Sequence, residues 1–192
     1  MLPGIEPDGE TIWPYKEAMV PKALPKSLLV IGSGAIGIEF ASFYADMGAK
    51  VTVVEVLDRI LPAEDEEISA FAHKAFTRRG MAIMTGAKVQ GVRRNGGGAS
   101  VMVGDAAGKV HEIAVEKVIS AVGIVGNVEG IGLEGTKVTV EKTHVVTDGY
   151  GRTGEPGIYA IGDLTGPPWL AHKASHEGVV CVEAIAGKND VH

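Results

Sequence analysis

Leu28-Leu29-Val30-Ile31-Gly32-Ser33-Gly34-Ala35-Ile36-Gly37-Ile38-Glu39 decides the fold of this chain. Four apolar residues predict a buried strand, a glycine-rich turn follows, and a helix begins at once. This is G-x-G-x-x-G in the strand–turn–helix context that gives the pattern meaning. Gly32 permits the tight turn. Gly34, lacking a side chain, lets a pyrophosphate approach the backbone. Gly37 lets the helix pack close to the strand. Ser33, Ala35 and Ile36 complete the loop and the first helical turn, whose free N–H groups and partial positive charge suit phosphate.

The next element strengthens the reading. Ala35 to Met47 predicts a helix with Ile36, Phe40, Phe43, Tyr44 and Met47 as its apolar stripe, ended by Gly48. Lys50-Val51-Thr52-Val53-Val54-Glu55 then reads as a second strand ending in a carboxylate. Glu55 lies 18 residues after Gly37 (55 − 37), close to the spacing of an acid that accepts ribose hydroxyl hydrogen bonds. A carboxylate there repels a 2′-phosphate, and the nearest arginine is Arg59, so NAD is expected over NADP. The plainer reading is a βαβ unit whose glycines serve packing alone.

Working outward, Asp65 to Arg79 predicts a helix with Ile68, Phe71, Ala72, Ala75 and Phe76 inward. The acids Glu64 to Glu67 sit at its positive end. Met81 to Met84 is a short strand. The period then changes: Lys88 to Arg94, Ala99 to Gly104 and Lys109 to Val115 predict an antiparallel meander. Val118 to Val122 returns as a parallel strand and closes a dinucleotide-binding domain over residues 27–123. Residues 1–26 carry Pro3, Pro7, Pro14, Pro21 and Pro25 and read as a connector laid over a surface. Beyond, Val138 to Val140, Val145 to Thr147 and Gly157 to Asp163 are strand candidates, and Ala171 to Ala186 is a helix. These elements are too few to enclose a core, so residues 124–192 are expected to be part of a second domain with apolar surface left uncovered. The fold class is α/β: a Rossmann-like parallel sheet with an antiparallel β-meander, plus part of a second domain.

Bulk properties narrow the partners. The net charge is −6, without a basic tract, which excludes nucleic acid. No apolar run reaches the roughly 18 residues of a membrane span. No signal peptide opens the chain, and a cytoplasmic location is expected. The one cysteine, Cys181, has no internal partner and reads as a small buried apolar residue. His172 and His176 stand four apart on a helix beside Glu177. That spacing could suit a metal, yet no third ligand motif accompanies it, and no metal is expected. Asp65-Glu66-Glu67 reads as a helix N-terminal charge run and not as an acid/base cluster.

Five segments occur in order: Gly32 to Ala41, Val53-Val54-Glu55, Ser120-Ala121-Val122-Gly123, Tyr159-Ala160-Ile161-Gly162-Asp163 and Leu170-Ala171-His172-Lys173-Ala174. Together they resemble the flavoprotein pyridine nucleotide-disulfide oxidoreductases of the dihydrolipoamide dehydrogenase type, over nearly the whole chain. The resemblance implies that Gly32 to Gly37 and Glu55 hold NAD. It places Val89 beside the adenine and Gly123 on the nicotinamide side. Gly162, Asp163, Leu170, Ala171 and His172 would face FAD. It also implies a homodimer, a lipoyl domain of a 2-oxo acid dehydrogenase complex as partner, and a parent enzyme that reduces NAD+ at the expense of a dithiol.

Departures matter as much. The G-x-G-x-x-G with which family members begin, their Cys-x4-Cys redox disulfide and their C-terminal interface domain with its His–Glu acid/base pair are absent from these 192 residues. Ile124 stands where many relatives carry Arg, and Trp169 where many carry Met. The chain therefore reads as the middle of such an enzyme, with no catalytic residue of its own. A non-catalytic NAD-binding or interaction module is the alternative.

Overall fold

The computed structural model describes residues 4–188. The chain divides into two compact units, Met1–Gly123 and Ile124–His192.

The first unit is built on a parallel sheet. Its strands are β1 (Ile12–Trp13), β2 (Ser27–Ile31), β3 (Lys50–Val54), β4 (Ala82–Met84) and β8 (Lys117–Ser120), in the order β1-β8-β2-β3-β4. Three helices accompany it: α1 (Tyr15–Met19), α2 (Ala35–Asp46) and α3 (Glu66–Arg78). The strands β5 (Lys88–Asn95), β6 (Gly98–Gly104) and β7 (Val110–Val115) form a separate antiparallel sheet. The continuous run Leu28 to Ile31 now has its reason. Leu28 and Val30 pack with Ile38, Ala41 and Tyr44 of α2, whereas Leu29 and Ile31 pack with Val89, Val101 and Val103 of the meander. Apolar on both faces, β2 is covered on both faces, as central strands of parallel sheets are.

Two expectations about packing change. The core face of α2 is Gly37, Ile38, Ala41 and Tyr44, while Ile36, Phe43 and Met47 are exposed. Small residues let the helix lie close to the sheet, so size misled the choice of stripe. On α3, Ser69 is buried and Ala72 and Phe76 pack on the core, but Ile68 and Phe71 face solvent. That helix packs along the β4 edge and needs a narrower stripe. Its acids behave as a charge run should: Asp65 caps it by accepting from Glu67 N at 2.9 Å.

Residues 1–26 are more than a connector. Ile12 and Trp13 pair with Val118 and Ile119 as an edge strand, and Ile5, Ile12, Trp13 and Ala18 are buried. Tyr44 donates to Ala18 O at 2.6 Å, which fixes α1 to α2. Asp8 organises the turn before β1. One of its oxygens accepts from the amides of Glu10, Thr11 and Ile12, and the other takes Arg94 Nε of β5 at 2.5 Å. Burial pushes the Asp8 carboxyl upward, but Arg94 and those amides outweigh it and hold it well below the ordinary aspartate range. A depressed folded value means that the stabilisation is complete above the ordinary aspartate range and is lost as pH falls through the folded value. Asp8→Ala is expected to cost about 1–2 kcal/mol at neutral pH. It should also flatten the acid limb of the unfolding midpoint against pH.

The second unit holds the hairpin β9 (Val140–Glu141) and β10 (His144–Val145), a 3-10 turn over Gly162–Thr165 and the helix α4 (Ala171–Ile185). The expected strand over Gly157 to Asp163 reduces to a single bridge, Tyr159 to Arg152. No neighbouring strand among the described residues extends the ladder. Ile158, Tyr159 and Ile161, with Val179, Val182 and Ile185 of α4, remain exposed, as expected for this unit. Cys181 is buried and unpaired.

Candidate functional site

The first unit gathers its candidate residues over the C-terminal ends of its parallel strands. β2 passes into Gly32, β3 into Glu55 and β8 into the segment ending at Gly123. β2 lies between β3 and β8, and the chain leaves it for β3 through α2 but reaches β8 only after the meander. The direction of winding changes there, the position at which open α/β sheets bind ligands.

The three glycines of the loop do different work. Gly32 has φ +93°, and a Cβ there would lie 2.6 Å from Ala121 O. A Cβ on Gly37 would lie 2.1 Å from Gly32 O. The fold itself demands both. Gly34 differs: its φ is −64°, and a Cβ would meet nothing within 4 Å. Its lack of a side chain is unexplained by packing, and it leaves the approach to the backbone open. The start of α2 is equally bare. Gly34 is its N-cap without a side-chain bond, and no acid stands in the first turn. Ala35 and Ile36 are exposed there. The amides of that turn thus keep their capacity for an anion.

Glu55 is 6% exposed. Its Oε2 accepts from Ser33 N at 2.8 Å and Ser33 Oγ at 2.6 Å, and its Oε1 accepts from Leu57 N at 2.9 Å. The carboxylate is held against the glycine loop. Arg59 Nη2 reaches Pro62 O at 3.4 Å, its Nε is buried without a partner, and the residue lines a cavity of about 400 Å³ with Glu66, His73 and Thr85. Val89, on β5 opposite Val103, has its side chain buried in the core. Gly123 is exposed, with φ +80° and open space at its Cβ position.

In the second unit Gly162, at φ +74°, opens the 3-10 turn, and the exposed Asp163 follows it. Leu170 is the N-cap of α4, without a side-chain bond, and Ala171 and His172 begin the helix, exposed. Two residues to which the sequence assigned no site role, Lys173 and Glu177, hold this corner together. Lys173 Nζ donates to Gly162 O at 3.1 Å, Thr165 Oγ1 at 3.2 Å and Gly166 O at 3.0 Å. Glu177 Oε2 accepts from Gly162 N at 2.6 Å, and Glu177 pairs with Lys173 at 3.0 Å. The Lys-x3-Glu spacing on one helix face was the available signal. Among the described residues, no three metal-ligating side chains cluster, and no helix is long and apolar enough to cross a membrane.

The sequence pattern of the pyridine nucleotide-disulphide oxidoreductases matches residues 1–178. The chain belongs to this family. Among its relatives, a dihydrolipoyl dehydrogenase of Rhizobium etli is 59% identical over 191 residues, covering 100% of this chain and 40% of the relative. One of Bacillus subtilis is 41% identical over 191 residues, with 98% and 40% covered. The crystal structure of LpdA from Mycobacterium tuberculosis superposes with a TM-score of 0.84 at 33% identity, covering 98% of this chain and 40% of that one. The flavoprotein disulfide reductase RclA of Escherichia coli gives 0.85 at 25% identity, with 100% and 43% covered. The chain thus spans about two fifths of the length of these pyridine nucleotide-disulphide oxidoreductases.

Proposed function

We propose that this chain is the NAD-binding portion of a dihydrolipoamide dehydrogenase. The whole enzyme would oxidise protein-bound dihydrolipoamide through a redox disulfide and FAD and pass the two electrons to NAD+ as hydride. In this reading the chain up to Gly123 binds NAD, and residues 124–192 supply part of the FAD domain. The relatives named dihydrolipoyl dehydrogenase favour this over a non-catalytic module. The observation that carries the NAD assignment is Gly34, a glycine that the fold does not need beside an uncapped helix and a buried acid.

The loop from Gly32 to Gly37 would hold the pyrophosphate: Gly32 and Gly37 shape the turn, Ser33 is turned to Glu55, and Gly34, Ala35 and Ile36 present their backbone amides. Glu55 would accept from the ribose, the backbone of Val89 would lie beside the adenine, and Gly123 would leave room on the nicotinamide side. Gly162, Asp163, Leu170, Ala171 and His172 would belong to the FAD side, where a helix start favours negative charge. FAD supplies the two-electron relay when bound. The thiol chemistry must come from residues other than Cys181, the only cysteine in this sequence. A lipoyl domain, a second copy of the enzyme and a cytoplasmic location complete the proposal.

The test is titration of the purified chain with NADH and NADPH. A 2′-phosphate near the Glu55 carboxylate costs on the order of 1–3 kcal/mol. NADH should therefore bind about tenfold or more tighter than NADPH. Glu55→Ala should weaken NADH and narrow that gap. Equal affinities in the native chain would remove the role assigned to Glu55.

A further inference from the structure

We infer that Ser33 is the positioning residue for Glu55: it saturates Oε2 and leaves Oε1 as the oxygen that accepts a single ribose hydroxyl. The inference rests on the NAD reading above and goes beyond it, because it assigns Ser33 to the acid and not to the pyrophosphate.

All three polar groups of Ser33 are committed to the segment that follows β3. Its amide and hydroxyl donate to Glu55 Oε2 at 2.8 and 2.6 Å, and its carbonyl accepts from Leu61 N at 2.9 Å. Ser33 is fully buried and Glu55 nearly so, so water is a poor substitute for either donor. Each carboxylate oxygen offers two lone-pair directions. Two donors from Ser33 fill those of Oε2. Leu57 N fills one on Oε1, at 2.9 Å, and one remains. The geometry therefore provides for one hydroxyl donor, where an unpinned carboxylate would offer more. A charge fixed in this way is also fixed against a 2′-phosphate, which makes Ser33 a determinant of dinucleotide preference through Glu55. Alanine at 33 would keep the amide and drop the hydroxyl, leaving one acceptor position of the buried Oε2 unfilled and loosening the hold on that oxygen.

A double-mutant cycle separates this role from simple packing. Affinities for NADH and NADPH are measured on the native chain, Ser33→Ala, Glu55→Gln and the double variant, with thermal unfolding of each. Ser33→Ala should weaken NADH about tenfold, the loss of one charge-assisted hydrogen bond. It should also lower the NADH-over-NADPH preference. The double variant should bind NADH no more weakly than Glu55→Gln alone. If Ser33→Ala does not fold, Ser33→Cys, close in size and a weak donor, carries the same expectation. Native affinity and preference in the Ser33 variant, or losses that multiply in full, overturn the inference while leaving the NAD reading in place. A native chain that binds neither dinucleotide overturns both.

Discussion

Gly37→Ala is expected to destabilise the first unit by about 3 kcal/mol, whereas Gly34→Ala, three residues earlier, should leave stability unchanged or slightly raised. The contrast follows from space alone. A Cβ at 37 would stand 2.1 Å from a backbone oxygen that only a shift of the loop can move, while at 34 it would meet nothing. Gly34→Ala pays its penalty in binding: its methyl group would occupy the approach to the α2 amides and weaken NADH at least about tenfold. Circular dichroism melts of the two variants, read beside NADH titrations, check the pair. Equal melting losses, or undiminished NADH binding by Gly34→Ala, would contradict the division of labour within the loop.

Trp13→Ala carries the second large effect, a loss of about 3–5 kcal/mol. Trp13 is 5% exposed and sits in the core cluster with Ala18, Tyr44 and Ile119. Its ring lies 6.3 Å from that of Tyr44, and its Nε1 donates to Glu10 O at 2.9 Å. A residue on a surface connector would cost under about 0.5 kcal/mol. Urea unfolding followed by circular dichroism distinguishes the two, and the larger value is expected.

Sequence revealed most where one residue type has one physical use. The glycine loop, the acid ending a β-branched strand and the change of period at Lys88 each fixed an element of the first unit. The sequence pattern misplaced features that depend on what lies opposite. The buried face of α2 is set by close approach to the sheet, which favours Gly37 and Ala41 over the bulkier Phe43 and Met47. β1 is two residues long and gains its order from pairing with β8, about a hundred residues later, which no local period records. The same holds for Ser33: only the folded chain brings its hydroxyl to Glu55. In the second unit the expected strand at Tyr159 shrank to one bridge because a strand requires a partner.

The central claim is that the first unit is a complete site for NAD, set by the glycine loop and Glu55. Calorimetric titration of NADH into the folded native chain tests it most directly. Saturable binding of one NADH per chain is expected, with NADPH at least about tenfold weaker. A chain with a cooperative melt that takes up no NADH, or takes up both dinucleotides equally, would contradict it.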